Sequence, residues 1–256
     1  MQRVSFAVAA HAYDRFMGRY SVPLAPVFAS FAGVTRGEHV LDVGCGPGAL
    51  TAELVSRLGA AAVTAVDPSE PFVDAARERH PDVRVEQASA EGLPFADDDF
   101  DAALAQLVVH FMADPVAGLR EMARVTRGGG GVAACVWDHA TGGRGPLVVY
   151  WEAAHELEPS LADESDLAGA REGHLAELMD AAGLREIEDT SLEVRAVHET
   201  FEDWWEPFTL GVGPAGAFAA GLDDERRAEL RERCRSKLPE PPFELTARAW
   251  AARGLA

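Results

Sequence analysis

The sequence predicts an α/β protein built on a doubly wound sheet of seven strands, mostly parallel, with an antiparallel last strand and helical cap insertions. Two observations carry that prediction. Through the first half of the chain, short apolar runs of strand type alternate with amphipathic runs of helix type, the pattern of parallel strands joined by crossover helices. The first strand, Val40 to Val43, then runs into the glycine-rich turn Gly44-Cys45-Gly46-Pro47-Gly48. In such sheets the strand ends border the ligand crevice.

The elements follow in order. A helical segment covers Tyr13 to Phe31, and strands are expected at Val40 to Val43, Ala62 to Val66, Val83 to Gln87, Ala102 to Leu107 and Gly131 to Trp137. Helices fill the gaps at Ala49 to Leu58, Glu70 to Arg79 and Pro115 to Thr126, the last stopped by Gly128 to Gly131. Beyond Trp137 the alternation loosens. A Gly/Arg-rich turn from Thr141 to Pro146 leads to a helix at Leu147 to Leu157 and an acidic stretch from Glu158 to Asp166, read as an insertion. A helix at His174 to Ala182 capped by Gly183, a strand at Ile187 to Val197, a helical excursion and a strand at Phe243 to Ala252 complete the chain. A strand pair separated by so long an excursion suggests an antiparallel edge. The expected organisation is one domain over 1–256, with cap segments near 1–31, 140–170 and 200–240.

Composition narrows the function. The 256 residues carry 23 basic and 42 acidic side chains, a net charge of −19, which repels phosphate backbones and anionic lipid. Neither nucleic acid nor a membrane is expected as a partner; a small-molecule substrate is, and a homodimer is compatible with the chain. The Val4 to Ala10 run is too short and too weakly basic at its start for a secretory signal, and no segment approaches about 18 continuous apolar residues. A cytoplasmic location is expected. Cys45, Cys135 and Cys234 are odd in number and widely spaced, which suits neither a disulfide framework nor a zinc site. Lys237, the only lysine, sits in a charged helix, so Schiff-base chemistry is not expected. Asp97-Asp98-Asp99 reads as a solvated turn, and no metal is expected.

The glycine turn describes a nucleoside cofactor site. Gly44 and Gly46 let the backbone turn sharply and approach a ligand that a Cβ would hold off, and the following helix points its amides at that ligand. Asp67, ending the next strand, is placed as a ribose acceptor, because a carboxylate offers two oxygens to a diol. On these residues alone Gly44-x-Gly46-x-x-Ala49 with Asp67 also fits a loose dinucleotide fingerprint, so a nicotinamide-dependent oxidoreductase stays open. Asp42, just before the turn, can order the loop or face a cationic ligand.

Taken with Val63 to Asp67, Ala88-Ser89-Ala90-Glu91-Gly92-Leu93-Pro94-Phe95 and Phe100-Asp101-Ala102-Ala103, the stretch Val40 to Thr51 resembles the Rossmann-like class I S-adenosylmethionine-dependent methyltransferases, in particular the type 11 group that includes the ubiquinone and menaquinone biosynthesis enzymes. The resemblance covers about Tyr13 to Gly254 and implies S-adenosylmethionine as cofactor, with S-adenosylhomocysteine as product. It implies that Gly44 and Gly46 lie against the methionine portion, that Asp67 accepts both ribose hydroxyls and that Ser89, Ala90 and Glu91 border the adenine, with Cys45 and Pro68 also among the cofactor-binding residues. Where Ser89 stands, many relatives carry Asp, so the adenine contact is weaker here. It further implies that Gln106 lies beside the methionine carboxylate, that Arg19 holds that carboxylate and that Tyr13 borders the active site. Relatives that bind the cofactor without transferring its methyl, and a cofactor-binding regulatory role, are the alternatives within this resemblance.

Methyl transfer from a sulfonium is an in-line displacement and needs a base only if the acceptor carries a proton. His110, just past the fourth strand, is the first candidate base, with Tyr13 beside it. Asp138 and His139 follow the fifth strand as a second pair or as a polar turn, and His11 ranks lower. Trp204-Trp205-Glu206-Pro207-Phe208 and Tyr150-Trp151 are expected to wall an apolar pocket.

Overall fold

The computed structural model describes residues 10–140 and 143–256. The apolar run that begins at Val4 lies, up to residue 9, outside the described residues, as do Thr141 and Gly142 of the Gly/Arg-rich turn.

Seven strands form one sheet: β1 Val40–Val43, β2 Val63–Asp67, β3 Arg84–Gln87, β4 Phe100–Gln106, β5 Thr126–Trp137, β6 Arg185–His198 and β7 Phe243–Leu255. Their order is β3-β2-β1-β4-β5-β7-β6, parallel from β3 to β5, with β7 antiparallel to both its neighbours. β1 is buried along its whole length, as a central parallel strand requires. The last strand pair forms the expected antiparallel edge, and within it β7 is slotted between β5 and the outermost strand β6. Its buried alanines, Ala247, Ala249 and Ala251, suit that crowded interior position, while Arg185, Glu188 and Glu193 blunt the outer strand β6 against further pairing.

Helices cover both faces. An N-terminal helical run consists of α1 Ala10–Tyr13, a π-helical turn Asp14–Gly18 and α2 Arg19–Phe31. With α3 Ala49–Leu58 and α4 Glu70–Arg79 it packs Leu24, Phe28, Leu54 and Val73 on one side of the sheet. α5 Pro115–Val125 and α7 His174–Ala182 pack Leu119, Met122, Leu175 and Met179 on the other. α6 Val148–Leu157 and, between β6 and β7, α8 Phe201–Trp205, α9 Gly213–Gly221 and α10 Asp224–Lys237 form the cap. Among the described residues no helix is long and apolar enough to cross a membrane.

One boundary differs for a physical reason. Gly128 to Gly131 do not stop α5; they belong to β5, which starts at Thr126. A Cβ on Gly130 would lie 2.5 Å from the Asp101 carbonyl oxygen, so these glycines allow close strand approach beside the register shift at Phe100/Ala102.

The aromatic residues of the cap pack on one another instead of walling a pocket. Tyr150 stacks on Phe208 at 4.4 Å between ring centres, its hydroxyl donates to the Ala215 carbonyl at 2.7 Å, and Trp204 and Trp205 are buried beside them. They are the cap's own core, and neither cavity described below is lined by Tyr150, Trp151, Trp204, Trp205 or Phe208.

Candidate active site

At the carboxyl ends of β1, β2 and β4 a cavity of about 380 Å³ opens beneath the N-terminal helix. The turn after β1 forms its floor. Gly44, Gly46 and Gly48 have φ of +70°, +53° and +100°, which side chains other than glycine rarely adopt, and the amides of Gly44 and Cys45 both donate to the Val66 carbonyl. A Cβ on Gly46 would meet no atom within 4 Å, so the missing side chain leaves open cavity at that point.

Two carboxylates flank the turn. Asp67 accepts from the Gly46 amide at 2.9 Å and the Ser69 amide at 2.8 Å, which ties the ends of β1 and β2 together; burial raises its pKa against those hydrogen bonds. Asp42 accepts from the Thr51 hydroxyl at 2.6 Å through Oδ2, while its Oδ1 is buried with no partner. Burial pushes the Asp42 carboxyl up to about 7, against the Thr51 hydrogen bond and with the help of the Asp67 charge. An unpaired buried oxygen on a half-neutralised acid is costly unless a donor or a cation meets it.

The opposite wall repeats this. Gln106 donates to the Ser21 carbonyl at 3.0 Å, and its Oε1 and the Ser21 Oγ are both buried without a partner. Tyr13 lies edge-on to Phe72 at 5.3 Å, and burial, then Asp67 and Asp14, raise its phenol, so it stays protonated. Cys45 is a buried thiol, driven well above its usual pKa by burial and by Asp42 and Asp67, which makes it a packing group and not a nucleophile.

The structure thus brings Tyr13, Asp42, Gly44, Cys45, Gly46, Asp67, Pro68 and Gln106 to one cavity. It does not bring Arg19 there. The Arg19 guanidinium is held by Asp203 at 3.0 Å and by His198 Nδ1 at 2.7 Å, and Tyr20 contacts His198 Nε2, so this cation fastens α2 to the cap. Ser89, Ala90 and Glu91 do not line the cavity either. Ala90 is buried under α5, and Glu91 accepts from Ser89 and from the Ala113 and Asp114 amides, closing the loop before that helix.

A smaller chamber adjoins the first, sharing Tyr13, Leu107 and Phe111 with it. His110 and His139 line it with ring centres 5.9 Å apart. His110 is 7% exposed, its Nδ1 has no partner, and burial followed by His139 lowers its pKa well below the usual histidine range. Asp138 is instead structural: it accepts from Arg248 at 2.6 and 2.9 Å and from the Arg144 amide at 2.9 Å. His11 is exposed on α1.

Sequence reasoning missed Ser21 and Glu164. Ser21 had a signal, since it interrupts the buried stripe Met17, Leu24 and Phe28 with a hydroxyl. Glu164 had none: it lies in an acidic stretch whose burial only the cap decides.

Strand order, glycine turn and acidic strand ends together define a class I S-adenosylmethionine-dependent methyltransferase fold. A dinucleotide-binding sheet of the 3-2-1-4-5-6 order carries a parallel sixth strand where this chain has antiparallel β7. The chain matches, over residues 41–134, the family model described as a methyltransferase domain. It is 40% identical over 106 residues to the ubiquinone/menaquinone biosynthesis C-methyltransferase of Bdellovibrio bacteriovorus, an alignment covering 40% of this chain and 45% of that protein. An uncharacterized protein of Mycobacterium bovis is 29% identical over 217 residues, 78% of this chain and 77% of its own length. The crystal structure of a putative methyltransferase from Bacillus halodurans superimposes with a TM-score of 0.59 at 18% identity, over 90% of this chain and 97% of that one, a likeness of fold. The chain spans less than half the length of the Bdellovibrio relative.

Proposed function

We propose that the protein transfers a methyl group from S-adenosylmethionine to a small-molecule acceptor. The carrying observation is the 380 Å³ cavity, in which a glycine-rich turn, two carboxylates and three unpartnered buried polar atoms converge next to a second chamber. These groups fit the cofactor. The Asp42 Oδ1 would meet a cationic end, Ser21 and Gln106 would offer a hydroxyl and a carbonyl to the methionine portion, and Asp67 would accept from the ribose hydroxyls. When bound, the cofactor supplies an electrophilic methyl on a sulfonium.

The rest is the chain's own work. Tyr13, Leu107 and Phe111 form the boundary between the chambers, where donor and acceptor are held together away from water. In this reading His110 takes a proton from an acceptor that carries one, which its unpartnered ring nitrogen and lowered pKa support. Calorimetry with S-adenosylmethionine, S-adenosylhomocysteine and NAD tests the reading. Binding of the first two without the third is expected; NAD alone binding would sink it. Asp67→Ala should weaken S-adenosylhomocysteine binding by about 1.5–3 kcal/mol, the worth of hydrogen bonds to a charged group.

Asp42 makes binding pH-dependent. A cationic ligand favours the carboxylate, so below about 7 binding must release a proton from Asp42. Affinity for S-adenosylmethionine is expected to rise roughly tenfold per pH unit up to about 7 and then level, and the slope should vanish in Asp42→Asn. Titrations in two buffers of different ionisation enthalpy count the proton released.

A further inference from the structure

The second chamber carries information about the acceptor. Its walls are apolar, with Phe16, Met17, Trp137, Leu147, Val212 and Pro214 among them. Among the described residues that line it, the ionisable groups are Tyr13, His110, His139 and Glu164, and none is Lys or Arg. Glu164 is the unusual one. It is 3% exposed, its Oε2 accepts from the Trp151 indole at 2.9 Å, and no described residue forms an ion pair with it or donates to its Oε1. A buried carboxylate with one neutral donor and no cation is expensive, and it is retained where a partner completes it. At the same chamber the His110 Nδ1 is buried with nothing to bond. The chamber is therefore lined both by the unpartnered His110 Nδ1 and by Glu164, whose one side-chain donor among the described residues is the Trp151 indole.

We infer that this chamber receives the methyl acceptor and that Glu164 selects it, admitting an apolar, flat molecule that bears a proton-donating hydroxyl or amine and rejecting one that bears a carboxylate or phosphate. The inference rests on the methyl-transfer reading and deepens it by naming the acceptor's chemistry. Aromatic and aliphatic walls provide contact area for a ring but no direction. Direction comes from Glu164, which only accepts hydrogen bonds when ionised, so the group against it has to donate. An acidic acceptor would put like charge beside a desolvated carboxylate with no basic side chain lining the chamber to offset it. The chamber measures about 30 Å³, room for little more than a water, so a ring enters by displacing the 212–215 segment. Gly211 and Gly213 flank Val212 at φ of +72° and +64°, at the junction where α9 begins, and admitting a ring there also means releasing the Ala215 carbonyl from the Tyr150 hydroxyl.

The test uses the full chain saturated with S-adenosylhomocysteine and three size-matched probes: 4-methylphenol, 4-methylbenzylamine and 4-methylbenzoate, each titrated by calorimetry. The phenol or the amine is expected to bind at least about tenfold more tightly than the benzoate, the difference that a hydrogen bond to a charged group supplies. Whichever of the two binds better identifies the donating group. In Glu164→Gln that preference should shrink to near unity while affinity for S-adenosylhomocysteine is unchanged. Benzoate binding as tightly as the others, no binding of phenol or amine up to millimolar concentration, or a preference that survives in Glu164→Gln each overturns the inference. Should the variant fail to fold, the wild-type order of the three probes decides alone. Failure of S-adenosylhomocysteine to bind is a separate result, and it removes the methyl-transfer reading instead.

Discussion

Gly44→Ala is expected to be the most damaging single substitution in the turn, lowering both stability and cofactor affinity. Gly44 has φ of +70°, and an L side chain in that region costs about 1–2 kcal/mol. The new Cβ would also stand 2.5 Å from both Val108 Cγ atoms, an overlap that forces Val108 or the turn to move, at about 1–3 kcal/mol. Val108 lines the cavity and follows the end of β4, so its displacement also reaches the cofactor site. In thermal unfolding each kcal/mol should lower Tm by about 2–4 °C for a chain of this size. Gly46→Ala is the informative control. Its φ of +53° carries strain, but its Cβ meets no protein atom within 4 Å, so it should lower Tm less and weaken S-adenosylhomocysteine binding more. Equal Tm for Gly44→Ala and the wild type would show that Val108 is not packed against the turn as described.

His110→Ala is expected to slow transfer to a proton-bearing acceptor by about 10²–10⁴-fold, the usual range for a general base, with S-adenosylhomocysteine affinity unchanged. The pH profile distinguishes this role from simple packing. Burial, then His139, hold the His110 pKa well below 6.5, so the imidazole is in its neutral form at ordinary pH. The rate should therefore stay level through the normal histidine range and fall only in stronger acid. The same shift links to stability with a definite sign: a histidine whose folded pKa is depressed leaves the unfolded chain binding more protons below 6.5, so stability falls as pH drops beneath that value. His110→Phe keeps the bulk and should remove His110's contribution to that acid sensitivity. Unchanged turnover in His110→Ala would end the role as base.

The legible part of this protein is the part encoded locally. Val40 to Thr51, Asp67 and Gln106 were readable because a strand end, a glycine turn and the next strand's acid follow one another at short spacing, and the backbone itself forms the site. The illegible part depends on pairs far apart in sequence. Arg19 has the right chemistry for a carboxylate, yet Asp203, 184 positions later, takes it. Asp138 looked like a turn residue or a catalytic partner, and Arg248, 110 positions on, makes it a buried ion pair. The aromatic residues of the two insertions were expected to wall a pocket because nothing in their own spacing shows that they meet one another first.

By itself the sequence determined the α/β alternation, the glycine turn, the acidic strand ends and hence the cofactor class, because periodicity and short-range motifs act through the local backbone. The tertiary structure alone decided that β7 enters between β5 and β6, that Ser21 meets Gln106 across 85 positions, and that Glu164 is withdrawn from water into a chamber with His110. Those outcomes depend on which surfaces the cap and the N-terminal helix bury against the sheet. The same glutamate in a solvated acidic loop would be unremarked; stripped of water and left without a cation, it becomes the group that selects the acceptor.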